Sequence, residues 1–309
     1  MNKNSFNYDI SFITINYNSS EFTNKLIESI VNHTSKDVKY EIIIVDNASK
    51  KEDLNNLNLI DNVKLVKNKI NNGFAGGNML GVNYASAEYF FFINNDTLLL
   101  NDAGVIMKKY LDENKDISLA TAKVNDEKGN FSSSYKLFPS LSKELLGNTV
   151  SRKLNKNKFP SNKIKLEQPT YVDVVSGSCM FFRASEFCKI GGFDTVFFLY
   201  CEEEDISKRI WDSDGKVIFL PDAEIFHSSG GSTKVSFDIT KEFYISYKHL
   251  IFKHFNIVES YLLIFLMLFK LFRRIIKRKN GLKLFLFGLS GFSKKSSIRY
   301  NQKIIDTCI

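Results

Sequence analysis

Residues 89–100 constrain the fold most, because a run of large apolar side chains ends abruptly in three polar ones. Tyr-Phe-Phe-Phe-Ile at 89–93 is followed by Asn94, Asn95 and Asp96. Such a run predicts a strand buried on both faces, as in a parallel sheet covered by helices. Ligands of such sheets bind beyond the carboxyl ends of the strands, so Asp96 is a candidate ligand for a divalent cation. The alternative is a solvated turn whose Asn and Asp residues cap the next element.

The segments before this run predict alternating strands and helices. Residues 8–16, 41–45 and 63–66 have strand patterns, and helical patterns follow 18–21 and occupy 79–87. This alternation predicts an α/β fold with a mainly parallel central sheet. Because Asn16 and Asp46 also end predicted strands, we expect them to share one sheet edge with Asp96.

The Gly/Asn-rich segment 71–78 is predicted to be a loop with two possible roles. Its glycines allow a backbone to approach a ligand, and the helix after it favours phosphate. Alternatively, they are simply turn residues. The segment lacks the lysine of a P-loop and the glycine spacing of a dinucleotide fold.

Beyond residue 125 the pattern is less regular. Residues 125–168 are polar and predict a long, partly mobile connection, a possible lid or acceptor segment, with an amphipathic piece at 141–146. Residues 172–182 predict a buried strand interrupted at Gly177, where another group approaches closely. Strands are also predicted at 197–200 and 216–220, with a helix at 206–211 and residues 221–227 after the last strand.

Four consecutive acids at 202–205 follow an aromatic segment. Acids at a helix start complement its dipole, which accounts for one or two of them. Successive side chains on a helix fan out by about 100°, so two at most can face a ligand. We expect Asp205 to pair instead with a backbone amide or with Arg209, four residues on. His227 is a lone histidine and a candidate metal ligand. The alternative is a structural role.

Charge divides the 309-residue chain. Residues 234–309 hold 15 Lys and Arg against 4 Asp and Glu, whereas residues 1–233 hold 27 against 30. A nucleic-acid-binding protein would not usually confine its positive charge to a tail. The apolar run 261–269 is too short to span a bilayer, and the Lys/Arg cluster at 270–279 favours an in-plane anchor on an anionic membrane surface. The alternative is a terminal helix packed on the preceding domain or on a second subunit.

The remaining composition places the chain in the cytoplasm. The four cysteines have neither disulfide-framework nor zinc spacing, which favours a reducing compartment. Residues 1–9 are polar, so no signal peptide is expected. With the basic tail, this predicts a cytoplasmic protein peripheral to the inner face of the plasma membrane.

These segments together resemble inverting nucleotide-sugar glycosyltransferases of family 2, which have the GT-A fold, and most closely the bacterial rhamnosyltransferase branch. The matching segments are 13–18, 44–49, 72–78, 92–97, 191–194, 197–205 and 221–227. The resemblance implies a GT-A catalytic domain at 1–233 and a helical, basic and apolar extension at 234–309. It also implies a nucleotide diphosphate sugar donor and a glycan or lipid-linked glycan acceptor, and leaves a homo-oligomer possible.

The resemblance also assigns site residues. Asp46 would bind the base of the nucleotide, residues 72–78 would lie along the diphosphate, and Asp96 and His227 would hold Mg²⁺ or Mn²⁺. The residues expected to bind the nucleotide sugar are Asn16, Asp46, Asn47, Asn72, Gly73, Phe74, Gly77, Asn78 and Asn95. The general base is expected at Glu203, with Glu202 and Glu204 as its competitors.

Two positions depart from the family pattern. Asn94 replaces the first carboxylate of the D-x-D metal motif, which implies a weaker metal site completed by the diphosphate. Glu203 replaces the aspartate expected as the base. A non-catalytic nucleotide-sugar or carbohydrate-binding protein with a degenerate metal site is therefore the main alternative. A nucleotidyltransferase is disfavoured because residues 16–20 are neutral.

Overall fold

The computed structural model describes residues 6–132, 134–154, 159–161, 165–228, 236–275 and 280–302. The strands are β1 (Tyr8–Asn16), β2 (Tyr40–Asp46), β3 (Val63–Lys67), β4 (Ala87–Ile93), β5 (Thr97–Leu99), β6 (Ile117–Asn125), β7 (Phe131–Ser132), β8 (Tyr135–Lys136), β9 (Thr170–Tyr171), β10 (Val174–Val175), β11 (Cys179–Arg183) and β12 (Lys216–His227). The helices are α1 (Ser20–His33), α2 (Lys51–Asn55), α3 (Gly73–Val82), α4 (Ala103–Glu113), α5 (Leu141–Leu154), α6 (Ala184–Lys189), α7 (Glu202–Asp212), α8 (Phe237–His254), α9 (Ile257–Phe272) and α10 (Gly281–Leu289).

The central sheet has the strand order β3-β2-β1-β4-β11-β6-β12-β5. β1 runs parallel to β2 and β4, β2 to β3, and β6 to β12. β11 lies antiparallel between β4 and β6, and β5 pairs antiparallel with β12. The predicted α/β class with a mainly parallel sheet is confirmed.

The aromatic run of β4 explains why the sheet is covered on both faces. Tyr89 and Phe91 enter the hydrophobic cluster on one face, which the buried sides of α1 and α4 complete. Phe90 and Phe92 enter the cluster on the other face, together with residues of α6 and α7. All four side chains are buried. Alternate side chains of a strand point to opposite faces, so this single strand joins the two cores.

Several predicted elements are wrong in their boundaries. α3 begins at Gly73, so the predicted loop 71–78 is largely helical and the predicted helix 79–87 ends earlier. The strand predicted at 172–182 is divided into β10 and β11, and 197–200 forms no strand. β12 continues through 221–227, and the connection 125–168 contains β7, β8 and α5.

The C-terminal helices pack on the central sheet region through α8. Leu250 is fully buried in the core cluster on the α6–α7 face, and the Ser246 hydroxyl donates to the Leu199 carbonyl at 2.8 Å. α9 and α10 form a smaller cluster around Met267, Leu271 and Leu284. No helix in the described residues is long and apolar enough to cross a bilayer. Residues 276–279 of the predicted basic cluster lie outside the described residues.

Candidate functional site

Two predicted site residues, Asn16 and Asp46, meet where β1 and β2 end side by side. Both are fully buried, and the Asn16 amide donates to Asp46 Oδ1 at 3.0 Å and to Asp53 Oδ2 at 2.9 Å. Asp46 Oδ2 accepts from the Ser49 amide at 3.1 Å. These contacts tie the loops after both strands together beneath the sheet edge. No sequence pattern predicts Asp53 as a member of this network, because it lies in a short surface helix.

Hydrogen bonds within this network lower the pKa of Asp53. Burial opposes ionisation of its carboxyl, but bonds donated by the Ser20 amide and the Asn16 side chain outweigh that effect. Asp53 Oδ1 accepts from both the amide and the hydroxyl of Ser20, each at 2.9 Å. The carboxylate thereby holds the N-terminus of α1 against the ends of the strands.

Asn47 and the start of α3 form the next part of the site. The side-chain amide of Asn47 donates to the Gly73 carbonyl at 3.0 Å, and its Oδ1 accepts from the side-chain amide of Asn68 at 2.8 Å. The Phe74 amide donates to the Phe198 carbonyl at 2.8 Å. Gly77 packs against Ile15 and Asn47, where an added Cβ would lie 2.8 Å from the nearest atom. The glycines therefore let α3 approach the sheet edge and the 198–199 segment.

Gly73 allows this approach for two reasons. Its φ is +70°, and a Cβ there would lie 2.0 Å from the Phe198 carbonyl oxygen. Gly73→Ala should therefore lower the free energy of unfolding by about 2–4 kcal/mol, through left-handed strain and overpacking. The control is Gly129→Ala, where φ is +74° but nothing lies within 4 Å of the added Cβ. Equal denaturation midpoints for the two variants would contradict the close approach at Gly73.

Asn95 and Asp96 extend from the end of β4 in different directions. The buried Asn95 amide donates to the Ser19 hydroxyl at 2.7 Å and to the Thr23 hydroxyl at 3.0 Å, next to α1. Asp96 Oδ1 lies 3.2 Å from His227 Nε2. β5 and β12 bring these two together, because His227 pairs with Thr97 across the sheet. The predicted Asp96–His227 juxtaposition is present, and no third His, Cys, Asp or Glu in the described ranges completes a group of metal ligands with them.

A cleft of about 420 Å³ opens along this edge. The predicted donor-binding residues that line it are Asn47, Gly73, Phe74, Asn78 and Asn95, whereas Asn16, Asp46, Asn72 and Gly77 do not. Its lining also includes residues of the C-terminal extension that sequence analysis missed, namely Ser236, Asp238, Ile239 and Ile298. No sequence pattern links these positions to the cleft, since the contact depends on how α8 packs.

The three glutamates at the start of α7 occupy different environments. Glu202 is buried, and its Oε1 has no hydrogen-bond partner in the described part of the chain. Burial and the neighbouring Glu203 raise the pKa of Glu202 well above its ordinary value. Burial and Glu203 also raise the pKa of Glu204. The Glu203 carboxyl carbon lies 3.6 Å from where a Cβ on Gly177 would be, so Glu203 is the group that approaches the chain at Gly177.

Gly177 lies close both to the Glu203 carboxylate and to the end of β4. The carbonyl of Ser178, the next residue, accepts from the backbone amide of Asn94 at 3.1 Å. The chain then continues as β11, which pairs with β4. Glu203 and the 94–96 segment are therefore on the same side of the sheet edge, although 107 residues separate Asp96 from Glu203.

Asp205 has the structural role predicted for it. Arg209 donates to Asp205 Oδ2 at 2.7 Å, and Lys253 and His254 of α8 reach Oδ1 at 2.7 and 2.8 Å. Burial opposes ionisation of Asp205, but the His254 hydrogen bond and the Arg209 charge outweigh it and lower the pKa. Asp205 thus joins α7 to the C-terminal extension.

Comparison with known proteins identifies the family. The sequence profile of glycosyl transferase family 2 matches residues 11–189. Rhamnosyltransferase WbbL of Escherichia coli (strain K12) is 25% identical over 226 residues, which cover 71% of this chain and 83% of that protein.

Two solved structures show the fold. The crystal structure of GalNAc-T7 with UDP, GalNAc and Mn²⁺ covers 81% of this chain and 48% of its own, with a TM-score of 0.58 and 16% identity. The crystal structure of S. aureus TarS 1-349 covers 88% of this chain and 73% of its own, with a TM-score of 0.53 and 15% identity. The predicted GT-A fold is confirmed. Because the profile covers more than half of the residues, the chain belongs to glycosyl transferase family 2, as a rhamnosyltransferase-like glycosyltransferase.

Proposed function

We propose that this enzyme moves a rhamnose-like or other hexose from a nucleotide diphosphate sugar to a surface-polysaccharide or lipid-linked acceptor, with inversion. The observation that carries the proposal is that a cleft lined by aromatic and amide side chains, the Asp96–His227 pair and the Glu203 carboxylate lie near one sheet edge. Its similarity to a rhamnosyltransferase supports the sugar class.

The cleft suits a nucleotide diphosphate because its lining combines flat apolar side chains with amides. Phe74 and Phe198 offer apolar surface to a base or ribose, while Asn47 and Asn78 offer hydrogen bonds. In this proposal, the hydrogen bonds of Asp46 with Asn16 and Ser49 orient the loop that carries Asn47.

Asp96 and His227 fit a divalent metal such as Mg²⁺ or Mn²⁺ as a two-residue site. One carboxylate oxygen and one imidazole nitrogen lie 3.2 Å apart. This pair of donor atoms suits Mn²⁺ and, with phosphate oxygens added, Mg²⁺. When bound, the metal would supply Lewis-acid stabilisation of the leaving diphosphate. Asn94, which lines the cleft, can contribute only a neutral oxygen.

Glu203 is proposed as the base that takes the proton of the acceptor hydroxyl. Its side chain is partly exposed, unlike that of Glu202, and it points toward Gly177 near the end of β4. A base near the metal but not bound to it can accept the proton as the sugar–oxygen bond forms.

The proposal is tested by screening nucleotide sugars for thermal stabilisation in the presence of Mn²⁺ and then measuring donor turnover. One donor class should raise the melting temperature, and chelation should reduce both binding and turnover. Because Asn94 stands where the family motif has a carboxylate, one other function is favoured, namely nucleotide-sugar binding without catalysis. Stabilisation by a donor without hydrolysis or transfer would support that alternative, and no stabilisation by any donor would contradict both.

We also propose that α9 and α10 lie on an anionic membrane surface, which would bring the cleft to a lipid-linked acceptor and place the enzyme at the cytoplasmic face. Opposite its buried side, α9 exposes apolar residues at helical spacing, and α10 exposes more. They are Val258, Tyr261, Leu262, Phe265, Phe269, Phe272, Leu282, Leu286 and Leu289, each 47–65% exposed. Lys270, Arg273, Arg274 and Lys283 lie on or beside the same helices. Apolar residues flanked by cations favour in-plane binding to anionic lipid.

The double variant Phe265→Asp/Phe269→Asp should weaken partitioning into phosphatidylglycerol-containing vesicles at least tenfold. Each buried Phe contributes about 1.5–3 kcal/mol, and 1.4 kcal/mol is a tenfold change. The matched control is Leu59→Asp/Ile60→Asp, two exposed apolar residues distant from the extension in sequence. Cosedimentation with vesicles measures the effect. Unchanged vesicle binding together with a change in oligomeric state would instead identify this face as an interface between copies.

A further inference from the structure

Lys136 contacts two of the three glutamates at the start of α7. Its Nζ lies 2.9 Å from Glu203 Oε1 and 2.5 Å from Glu204 Oε1. The lysine comes from β8, in the polar segment 125–168, for which no such contact was predicted. A single ammonium group therefore bridges the proposed base and its neighbour.

The strand pairing of β8 places Lys136 beside the same backbone that Glu203 approaches. Lys136 pairs with Val174 in β10, and the chain passes from β10 through Gly177 to β11. Lys136 binds Glu203 Oε1, and both Oε1 and Oε2 lie near Gly177, at 3.7 and 3.8 Å from where its Cβ would be. Within the described residues, Oε2 accepts no hydrogen bond. The lysine thus holds one oxygen of the carboxylate and leaves the other for a proton.

The surrounding charges explain why a cation is needed at this position. The titratable groups that face Glu203 are Lys136, Glu202, Glu204, Tyr200 and Cys201. Lys136 is the cation among them. Burial opposes its charge, but Glu203 and Glu204 outweigh burial and raise the pKa of Lys136. The lysine stays charged wherever the glutamates are ionised.

We propose that Lys136 is a positioning residue for sugar transfer, which holds the Glu203 carboxylate oriented toward the acceptor. This rests on the proposed function of Glu203 as the base. A different role is purely structural, in which Lys136 only neutralises a buried acidic cluster. The two differ in whether the effect of losing Lys136 depends on Glu203.

Lys136→Met is expected to lower kcat about tenfold to a hundredfold with donor affinity nearly unchanged, since a misplaced base loses part of the two to four orders of magnitude that proton transfer contributes. Lys136→Arg should restore most of the turnover, because it keeps a cation that can donate to Glu203 Oε1. Lys208→Met is the matched control, since it removes an ion pair with Asp212 on the exposed side of α7.

A double-mutant cycle separates this inference from the proposed function. In the Glu203→Gln background, Lys136→Met should cost little further turnover. An equal loss in both backgrounds, or a loss confined to donor affinity, would overturn the positioning role while leaving Glu203 as the base. Full activity of Glu203→Gln alone would instead refute the proposed base. If Lys136→Met fails to fold, Lys136→Gln, which keeps one donor, replaces it in the same cycle.

Discussion

Glu203→Gln is expected to lower kcat by about two to four orders of magnitude while the donor dissociation constant stays near its wild-type value. The amide keeps the size of the side chain but cannot accept a proton, so only the step that needs a base is affected. Donor binding depends on the cleft, which Glu203 does not line. Single-turnover transfer and calorimetric titration with the donor measure the two quantities separately.

Glu202→Gln and Glu204→Gln are the comparisons that test this assignment, with Glu113→Gln at the exposed end of α4 as the control for protein quality. Burial raises the pKa of both Glu202 and Glu204, so each binds its proton more tightly than an exposed glutamate. If Glu203→Gln keeps most of its turnover and one of these variants loses it, the base is that neighbour.

The central sheet was predictable because its strands carry their own signals. The run at 89–93 in β4 is apolar at every position, which is typical of a strand buried on both faces. The shared position of the polar residues at the ends of β1, β2 and β4 was also predictable, because parallel pairing brings the carboxyl ends of strands to one edge. Helical spacing also made Arg209 one of the two partners expected for Asp205, and the structure shows that pairing.

The start of α3 could not be predicted from local preference. Residues 73–77 include three glycines, which disfavour a helix, yet tertiary packing against Ile15, Asn47 and Phe198 overrides that preference. The same limit applies to 197–200, whose aromatic pattern resembles a strand. There the chain turns, with left-handed φ at Tyr200 and Cys201, to begin α7.

Two other parts of the site depend on contacts between distant segments. Lys136 is one lysine among many in a polar segment, and only the β8–β10 pairing brings it to α7. Likewise, Ile239 reaches the cleft because Lys253, His249 and His254 bind α8 to Asp205 and Asp194. Ile298 reaches it through the hydrogen bond of its backbone amide to Glu242 of α8. Neither contact has a local sequence pattern.

Asp96→Ala is expected to reduce turnover by about two to three orders of magnitude and to abolish metal-dependent donor binding, with the fold intact. Lewis-acid stabilisation of a leaving diphosphate amounts to several kcal/mol, and each 1.36 kcal/mol is a tenfold change in rate. The fold should persist because the Asp96 main chain still accepts from the Ser228 amide and β5 still pairs with β12. Donor titration at varied Mn²⁺ concentration, beside circular dichroism, measures both effects.

The reciprocal change, Asn94→Asp, tests the same site in the opposite direction. It restores the carboxylate that the family's D-x-D motif has at this position, and Asn94 already lines the cleft. A second carboxylate beside Asp96 should lower the Mn²⁺ concentration that gives half-maximal turnover, since hard cations bind more tightly as charged oxygen ligands are added. Asp96→Asn, which keeps the side-chain volume, should behave like Asp96→Ala. If Asp96→Ala retains wild-type turnover and Asn94→Asp leaves the metal requirement unchanged, Asp96 and His227 do not form the metal site.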